Sequence, residues 1–266
     1  MLFRSHALIG GLCGAALSAS HLNWNVIHWS VLEGEKMKGL WPQVIKPIVL
    51  APAAGFFFGF LIMGLLLWLF RSFRPSPVNR LFGKLQILSA MWVSFSHGAN
   101  DAQKTMGIIT LSLVSATTAG TLAFVPEWMD FLKLDAGKFN VPDWVTCICA
   151  IAMAAGTAAG GRKIIKTMGT KLVRMSPING FAAQSASALV IQIASHWGIP
   201  LSTTHVISTS IMGVGATKRF SAVKWGVAGH MVWAWILTIP VTSVLAFGVM
   251  KLILWISPGS ATIPPV

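Results

Sequence analysis

Asn100, Asp101 and Lys104 set an amide, a carboxylate and a cation side by side within Ser96-His-Gly-Ala-Asn-Asp-Ala-Gln-Lys-Thr-Met-Gly107, a segment flanked on both sides by apolar sequence. A hard cation such as sodium takes oxygen ligands, which a carboxylate, an amide oxygen and freed backbone carbonyls supply. Asp101 is the one acid of seven that falls inside a predicted membrane segment, since Glu33, Glu35, Glu127, Asp130, Asp135 and Asp143 lie in connections. An ionisable group at membrane depth is costly unless it faces a polar cavity or a partner, so its default reading is a transport or relay site. Asp101 and Asn100 are therefore expected to couple a cation, Na+ or H+. Lys104, one turn further on, pairs with Asp101 or attracts an anion. The plainer alternative, that Asn100 or Asp101 caps a helix starting near residue 102, can coexist with that role.

A second polar cluster, Ser202, Thr203 and Thr204, precedes a short apolar segment. Three hydroxyls and the unpaired N–H groups of a helix start suit a tetrahedral oxyanion, phosphate or sulfate, and an ordinary Ser/Thr cap is the competing reading. Asn100, Gln184 and Ser185 are candidates to add contacts to the anion, with helix–helix hydrogen bonding the alternative for Gln184 and Ser185. His97 and His205 are candidate proton carriers because a histidine titrates near neutrality, the alternative being that they orient backbone at a helix break.

The elements that position these groups are membrane helices. The chain has 55% hydrophobic and 10% charged residues, with apolar runs long enough to cross about 30 Å of hydrocarbon. Its net charge of +13 comes from Lys and Arg gathered in short connections, which reflects cytoplasmic retention of positive charge and excludes nucleic acid as a partner. The connections 71–84, 162–174 and 218–224 are basic and read as cytoplasmic, whereas 125–143 is acidic, is flanked by Trp128 and Trp144, and reads as external. Between 84 and 125 lie a short apolar segment, 85–96, and a fuller one, 104–124. An inside-to-outside path allows an odd number of crossings, which predicts a break at Gly98-Ala-Asn-Asp101. Segments 177–197 and 205–216 lie between two cytoplasmic connections, the second too short to cross. They predict a re-entrant hairpin with its tip at Gly198-Ile-Pro-Leu-Ser-Thr-Thr-His205.

Ser5-His-Ala-Leu-Ile-Gly-Gly-Leu-Cys-Gly-Ala-Ala16 aligns without gaps on Thr204-His-Val-Ile-Ser-Thr-Ser-Ile-Met-Gly-Val-Gly215, and each copy is followed by an apolar run containing a proline, Pro52 or Pro240. The sidedness of the connections makes the two copies opposite in direction, so the predicted fold is all-α: an inverted-repeat secondary transporter with discontinuous helices and re-entrant hairpins. By the repeat, Ser5 matches Thr204 and approaches the anion from the other side. The predicted organisation is the remainder of an N-terminal repeat at 1–70, a cytoplasmic loop at 71–84, a C-terminal repeat at 85–256 and a tail at 257–266. Asp101 precedes His205 by 104 residues, so an equivalent Asn-Asp element for the first copy would fall before Met1, and the chain is expected to lack part of its first repeat.

The segments 96–107, Pro200-Leu-Ser-Thr-Thr-His205 and Ser5-His-Ala-Leu-Ile-Gly-Gly11 resemble the PiT family of inorganic phosphate transporters, particularly its low-affinity bacterial members, from about residue 4 to about residue 256. The resemblance implies symport of phosphate with sodium or a proton, in some bacterial relatives as a neutral metal–phosphate complex, in a bacterial cytoplasmic (inner) membrane. Close relatives carry sulfate. The family has two Asn-Asp elements and this chain has one. The expected mechanism is that a cation neutralises Asp101, an anion is received at Ser202, Thr203 and Thr204, and the hairpins then exchange which side is open. The expected partners are inorganic phosphate or a related oxyanion, membrane lipid and a second copy in a homodimer. No cofactor beyond the coupling cation and no metal site is expected.

A passive anion channel and a transport-inactive fragment are the rival readings, and a membrane enzyme finds no nucleophile, metal cluster or paired carboxylate here. The small residues of 150–161 and Gly10, Gly11 and Gly14 are expected to let helices pack closely. Trp24, Trp29, Trp41, Trp128 and Trp144 are expected at the membrane interface. Cys13, Cys147 and Cys149 read as small buried residues without a disulfide or metal framework.

Overall fold

The computed structural model describes residues 4–33, 36–135, 140–166, 173, 175–199 and 201–256; the expectations placed on the tail 257–266, on Pro200, and on the side chains of Ser5 and of the basic residues at 162–172 and 174 lie outside the described residues. Among the described residues, seven α-helices carry the fold: α1 (Arg4–Ala19), α2 (Lys46–Leu69), α3 (Pro75–Thr118), α4 (Asp143–Lys166), α5 (Pro177–His196), α6 (Thr203–Lys218) and α7 (Trp225–Ile256). A two-stranded antiparallel ribbon, β1 (Val31–Glu33) with β2 (Lys36–Lys38), lies in the connection between α1 and α2, a small addition to the all-α expectation. The spans Trp41–Leu69, Asp143–Gly161 and Trp225–Ile256 are long and apolar enough to cross a bilayer, and the chain is an integral membrane protein. On α7 the outward residues, among them Trp233, Ile236, Val244 and Leu245, are exposed and apolar, as a lipid-facing surface requires.

Two sequence expectations are corrected. The connection 71–84 is non-helical only as far as Arg74, because Pro75, at the first turn of α3, suits a helix start and the remainder already belongs to that helix. More consequentially, α3 runs without interruption through Gly98-Ala-Asn-Asp101, so the predicted break is absent. One helix, about 66 Å if straight, replaces the two expected segments. No helix starts near residue 102, which removes the capping role for Asn100 and Asp101.

The hairpin is present. Helix α5 ends in a Schellman arrangement: Ile199 N–H donates to Ala194 O at 2.9 Å and Gly198 N–H to Ser195 O at 3.1 Å, with Gly198 at φ +65°, a conformation that glycine adopts without steric cost. Ile199 packs on the buried cluster of Val190, Ile191, Ala194, Leu201 and Val206, which anchors the turn. The chain then reverses through Ser202 into α6, about 24 Å long and thus short of a full crossing, most of whose residues are buried in protein. Helices α3 and α5 run parallel, since Ser89 meets Gln184, Ser96 meets Gln192 and Asn100 meets Ser195.

The two repeat copies exchange partners. Helix α1 packs along α7, with Gly10 against Ile239 and Thr242 and Gly14 against the backbone of Ser243. Helix α6 packs along α2, with Thr209 against Gly55 and Gly213 against the backbone of Phe56 and Phe60. Gly14 and Gly213 are equivalent in the repeat, and at each a Cβ would run into the backbone of the long helix of the other copy. Without hydrophobic driving force in lipid, such close backbone approach is what holds helices together. Gly11 and Gly156 have nothing within 4 Å among the described residues, and most of the small residues of 150–161 are exposed, so close helix approach is not seen at those two glycines. Of the cysteines, Cys149 is buried as expected and Cys147 is exposed. Trp24, Trp29, Trp41 and Trp128 are exposed, and Trp144 lies edge-on to Phe131, ring centroids 5.3 Å apart.

Candidate functional site

The middle of α3 meets the hairpin tip. Asp101, 14% exposed, accepts at Oδ1 from Thr203 Oγ1 at 3.3 Å and from Lys104 Nζ at 3.5 Å, and its Oδ2 lies 3.8 Å from His97 Nε2. Lys104, 16% exposed, also donates to Asn100 Oδ1 at 2.8 Å and to the Leu201 carbonyl at 2.6 Å. Asn100 is buried and donates through Nδ2 to Ser195 Oγ on α5 at 2.8 Å, which turns its carbonyl oxygen toward the lysine. The i,i+3 and i,i+4 spacings of an unbroken helix place Asn100, Asp101 and Lys104 on one face, and that face looks at the tip.

Ser202 and Thr203 are buried and Thr204 is half-buried. Ser202 occupies the N-cap position of α6 yet makes no side-chain capping hydrogen bond, so the ordinary cap does not account for its hydroxyl. Within the first turn of α6 the His205 N–H donates to the Ser202 carbonyl at 3.0 Å, which leaves those of Thr203 and Thr204 outside the helix ladder. A carboxylate, an ammonium, the buried Thr203 hydroxyl and a helix start thus meet at one junction of α3 and the tip, with Ser202 one residue before Thr203, groups of the kinds that hold a cation and an oxyanion.

Not every expected residue joins this cluster. Gln184 accepts from Ser89 Oγ on α3 at 2.6 Å, so it takes the helix–helix role. Ser89 is twelve residues before Asp101 on the same helix, about 18 Å along its axis, and Gln184 with half-buried Ser185 lies correspondingly far from the tip. The side chain of Ser5 lies outside the described residues, but its neighbour His6 touches His205, the neighbour of Thr204, with ring centroids 4.5 Å apart. The equivalent histidines of the two copies therefore meet at the starts of α1 and α6. His205 is buried between His6 and Trp235, which stacks on it at 3.9 Å. Beside them, Ser202, Pro47 and Pro52 help enclose a cavity of about 10 Å³, room for about one water, and His6 Nδ1 and His205 Nε2 have no hydrogen-bond partner among the described residues.

Sequence reasoning missed Trp235, Ser195 and Gln192. Nothing in the sequence sets Trp235 apart from Trp225 and Trp233 in the same apolar run. Gln192 accepts from Trp92 Nε1 at 2.8 Å and from Ser96 Oγ at 3.2 Å, lining with Phe95, Gln103 and Trp197 an open groove of about 540 Å³ between α3 and the end of α5. The available signal was the polar residues Gln192, Ser195 and His196 at helical spacing just before the tip.

Comparison with known proteins places this geometry. Residues 4–246 match the profile of the family described as Phosphate transporter family. The chain is 40% identical over 242 residues, 91% of its length and 64% of the relative's, to "Probable low-affinity inorganic phosphate transporter" of Rhizobium meliloti (strain 1021). It is 36% identical over 241 residues, again 91% of its length and 64% of the relative's, to a protein of the same name from Bacillus subtilis (strain 168). The chain thus spans slightly less than two thirds of these curated relatives. A solved structure titled "The sodium-dependent phosphate transporter" shares the fold with a TM-score of 0.55 at 20% identity, covering 94% of this chain and 65% of that one.

Proposed function

The chain belongs to the Phosphate transporter family, and from that premise we propose that it moves inorganic phosphate across a bacterial cytoplasmic membrane by symport with a cation. The observation that carries the reading is the contact between α3 and the tip: Thr203 Oγ1 on Asp101 and Lys104 Nζ on the Leu201 carbonyl. It joins the group suited to a cation, Asp101 with Asn100, to the groups suited to an oxyanion, Ser202, Thr203 and Thr204. Cation binding lowers the cost of bringing an anion beside a carboxylate. The contact of His6 with His205 supports an approach of Ser5 from the first copy. Phosphate enters free or as a neutral metal–phosphate complex, the coupling ion is Na+ or H+, and the protein assembles as a homodimer in lipid.

Uptake of labelled phosphate and labelled sulfate into proteoliposomes, under a sodium or a proton gradient in turn, tests the proposal. Accumulation of phosphate that collapses when the cation gradient is removed supports it. Flux indifferent to both gradients makes the chain a passive anion channel, preference for sulfate makes it a sulfate permease, and absence of flux for either anion makes it transport-inactive by itself.

A further inference from the structure

The oxygens expected to hold a coupling cation already hold one. Lys104 Nζ lies 2.8 Å from the Asn100 amide oxygen, 2.6 Å from the Leu201 carbonyl oxygen and 3.5 Å from Asp101 Oδ1. An ammonium has three N–H donors and no acceptor, and here it faces three oxygens of the kinds a hard cation takes: amide, backbone carbonyl and carboxylate. These oxygens come from two elements, α3 and the hairpin tip, so whatever cation sits among them fastens one to the other. The Asn100 oxygen is aimed inward by its own amide, which donates to Ser195 Oγ.

We propose that the Lys104 ammonium is this chain's tethered substitute for a free metal cation at the junction of α3 and the tip, and that Lys104 determines the cation selectivity of the site. Two physical arguments carry this. Lys104 is attached one turn from Asp101 and Asn100, so its ammonium competes as an intramolecular ligand at high effective concentration, against which a dissolved ion at physiological concentration is disadvantaged. Charge balance points the same way: Lys104 offsets Asp101, and a sodium ion added beside them would leave an unpaired positive charge in a pocket where both side chains are largely buried. Sodium and the Lys104 ammonium are therefore alternatives at this position, and sodium has a complete site only when the ammonium is gone. The inference rests on the reading of this cluster as the coupling site and narrows it: sodium does not act here in the native chain.

The test is thermal unfolding of the purified chain in detergent, titrated with sodium chloride against choline chloride at constant ionic strength, for the native protein, Lys104→Ala and Lys104→Gln, each with and without inorganic phosphate. The native midpoint is expected to be the same in both salts. Lys104→Ala is expected to be lowered in choline and to recover along a saturable sodium curve, because removing the ammonium leaves the Asp101 charge and three oxygens for the ion; Lys104→Gln, which keeps the bulk, recovers less. A saturable rise of the native midpoint with sodium overturns the proposal, as does a Lys104→Ala midpoint indifferent to sodium. Should neither variant fold, the native titration decides alone: a sodium rise refutes and equal midpoints uphold. The phosphate arm reads separately, since a midpoint unmoved by phosphate in every protein counts against the transport reading while the sodium curves still decide the role of Lys104.

Discussion

Replacing Gly14 and Gly213 with alanine, one at a time, asks whether the two repeat copies are held by the same exchanged contact. A Cβ at Gly14 would run into the carbonyl of Ser243, with the Ser243 Cα at 2.8 Å, and one at Gly213 would run into the carbonyl of Phe56, with the Phe60 nitrogen at 2.9 Å. Both obstacles are backbone, so the helices must separate rather than a side chain swing away. Gly11, on α1 one turn from Gly14, has nothing within 4 Å and serves as the reference. All three substitutions gain about 1 kcal/mol of helix propensity. That gain cancels between positions, and the difference between Gly14 or Gly213 and Gly11 is the overpacking cost itself, about 1–3 kcal/mol. Unfolding midpoints in detergent should therefore rise for Gly11→Ala and fall, or rise far less, for the other two. Midpoints that shift alike at all three positions would refute the close approach, and a penalty at only one of Gly14 and Gly213 would refute the symmetric exchange between copies.

Other expectations concern the site directly. Asp101→Asn should abolish cation-dependent phosphate uptake in proteoliposomes while the protein still inserts; unchanged cation dependence would remove Asp101 from coupling. Ser202→Ala should leave the unfolding midpoint within the change of about 0.5 kcal/mol usual for an uninvolved position, because Ser202 makes no capping bond to lose, yet reduce stabilisation by phosphate; a loss of about 1 kcal/mol without any effect on phosphate would restore the ordinary cap. Trp235→Ala should cost about 3–5 kcal/mol, as expected for truncation of a buried aromatic, with partial recovery in Trp235→Phe, which can still lie on His205. Equal stability of the alanine and phenylalanine variants would show that the ring on His205 is not what the position supplies.

The hairpin and the repeat were legible because both are local patterns: a turn glycine, three hydroxyls, a segment too short to cross, and twelve residues aligned without gaps. The continuity of α3 was not legible. Polar residues at depth argued for opened backbone, but the partners that make opening unnecessary lie about a hundred positions away, Thr203 and Leu201 at the tip and Ser195 at the end of α5. With those in place the side chains satisfy one another and the helix keeps its backbone bonds. For Gln184 the sequence left two roles open, and its register, which sets it against Ser89, gives it the helix–helix one. The small residues of α4 show a further limit, since composition says what could approach closely and not whether anything does.

The contacts at the junction also set a condition on binding. Separating the tip from α3 strips the Leu201 carbonyl and the Asn100 oxygen of an ammonium and Asp101 of the Thr203 hydroxyl, leaving charged and polar groups short of partners in a largely buried pocket. The unliganded site is therefore self-satisfied, and a ligand shifts the equilibrium only to the extent that it replaces these contacts better in one arrangement than in the other. An oxyanion does so on one side, sharing the Lys104 ammonium and taking the Thr203 hydroxyl, and it thereby leaves the Asp101 carboxylate short of partners. Neutralising that carboxylate is what a second, positive partner contributes, and the proton has an advantage over a metal ion there: it needs only a carboxylate oxygen and leaves the Asn100 and Leu201 oxygens to the lysine.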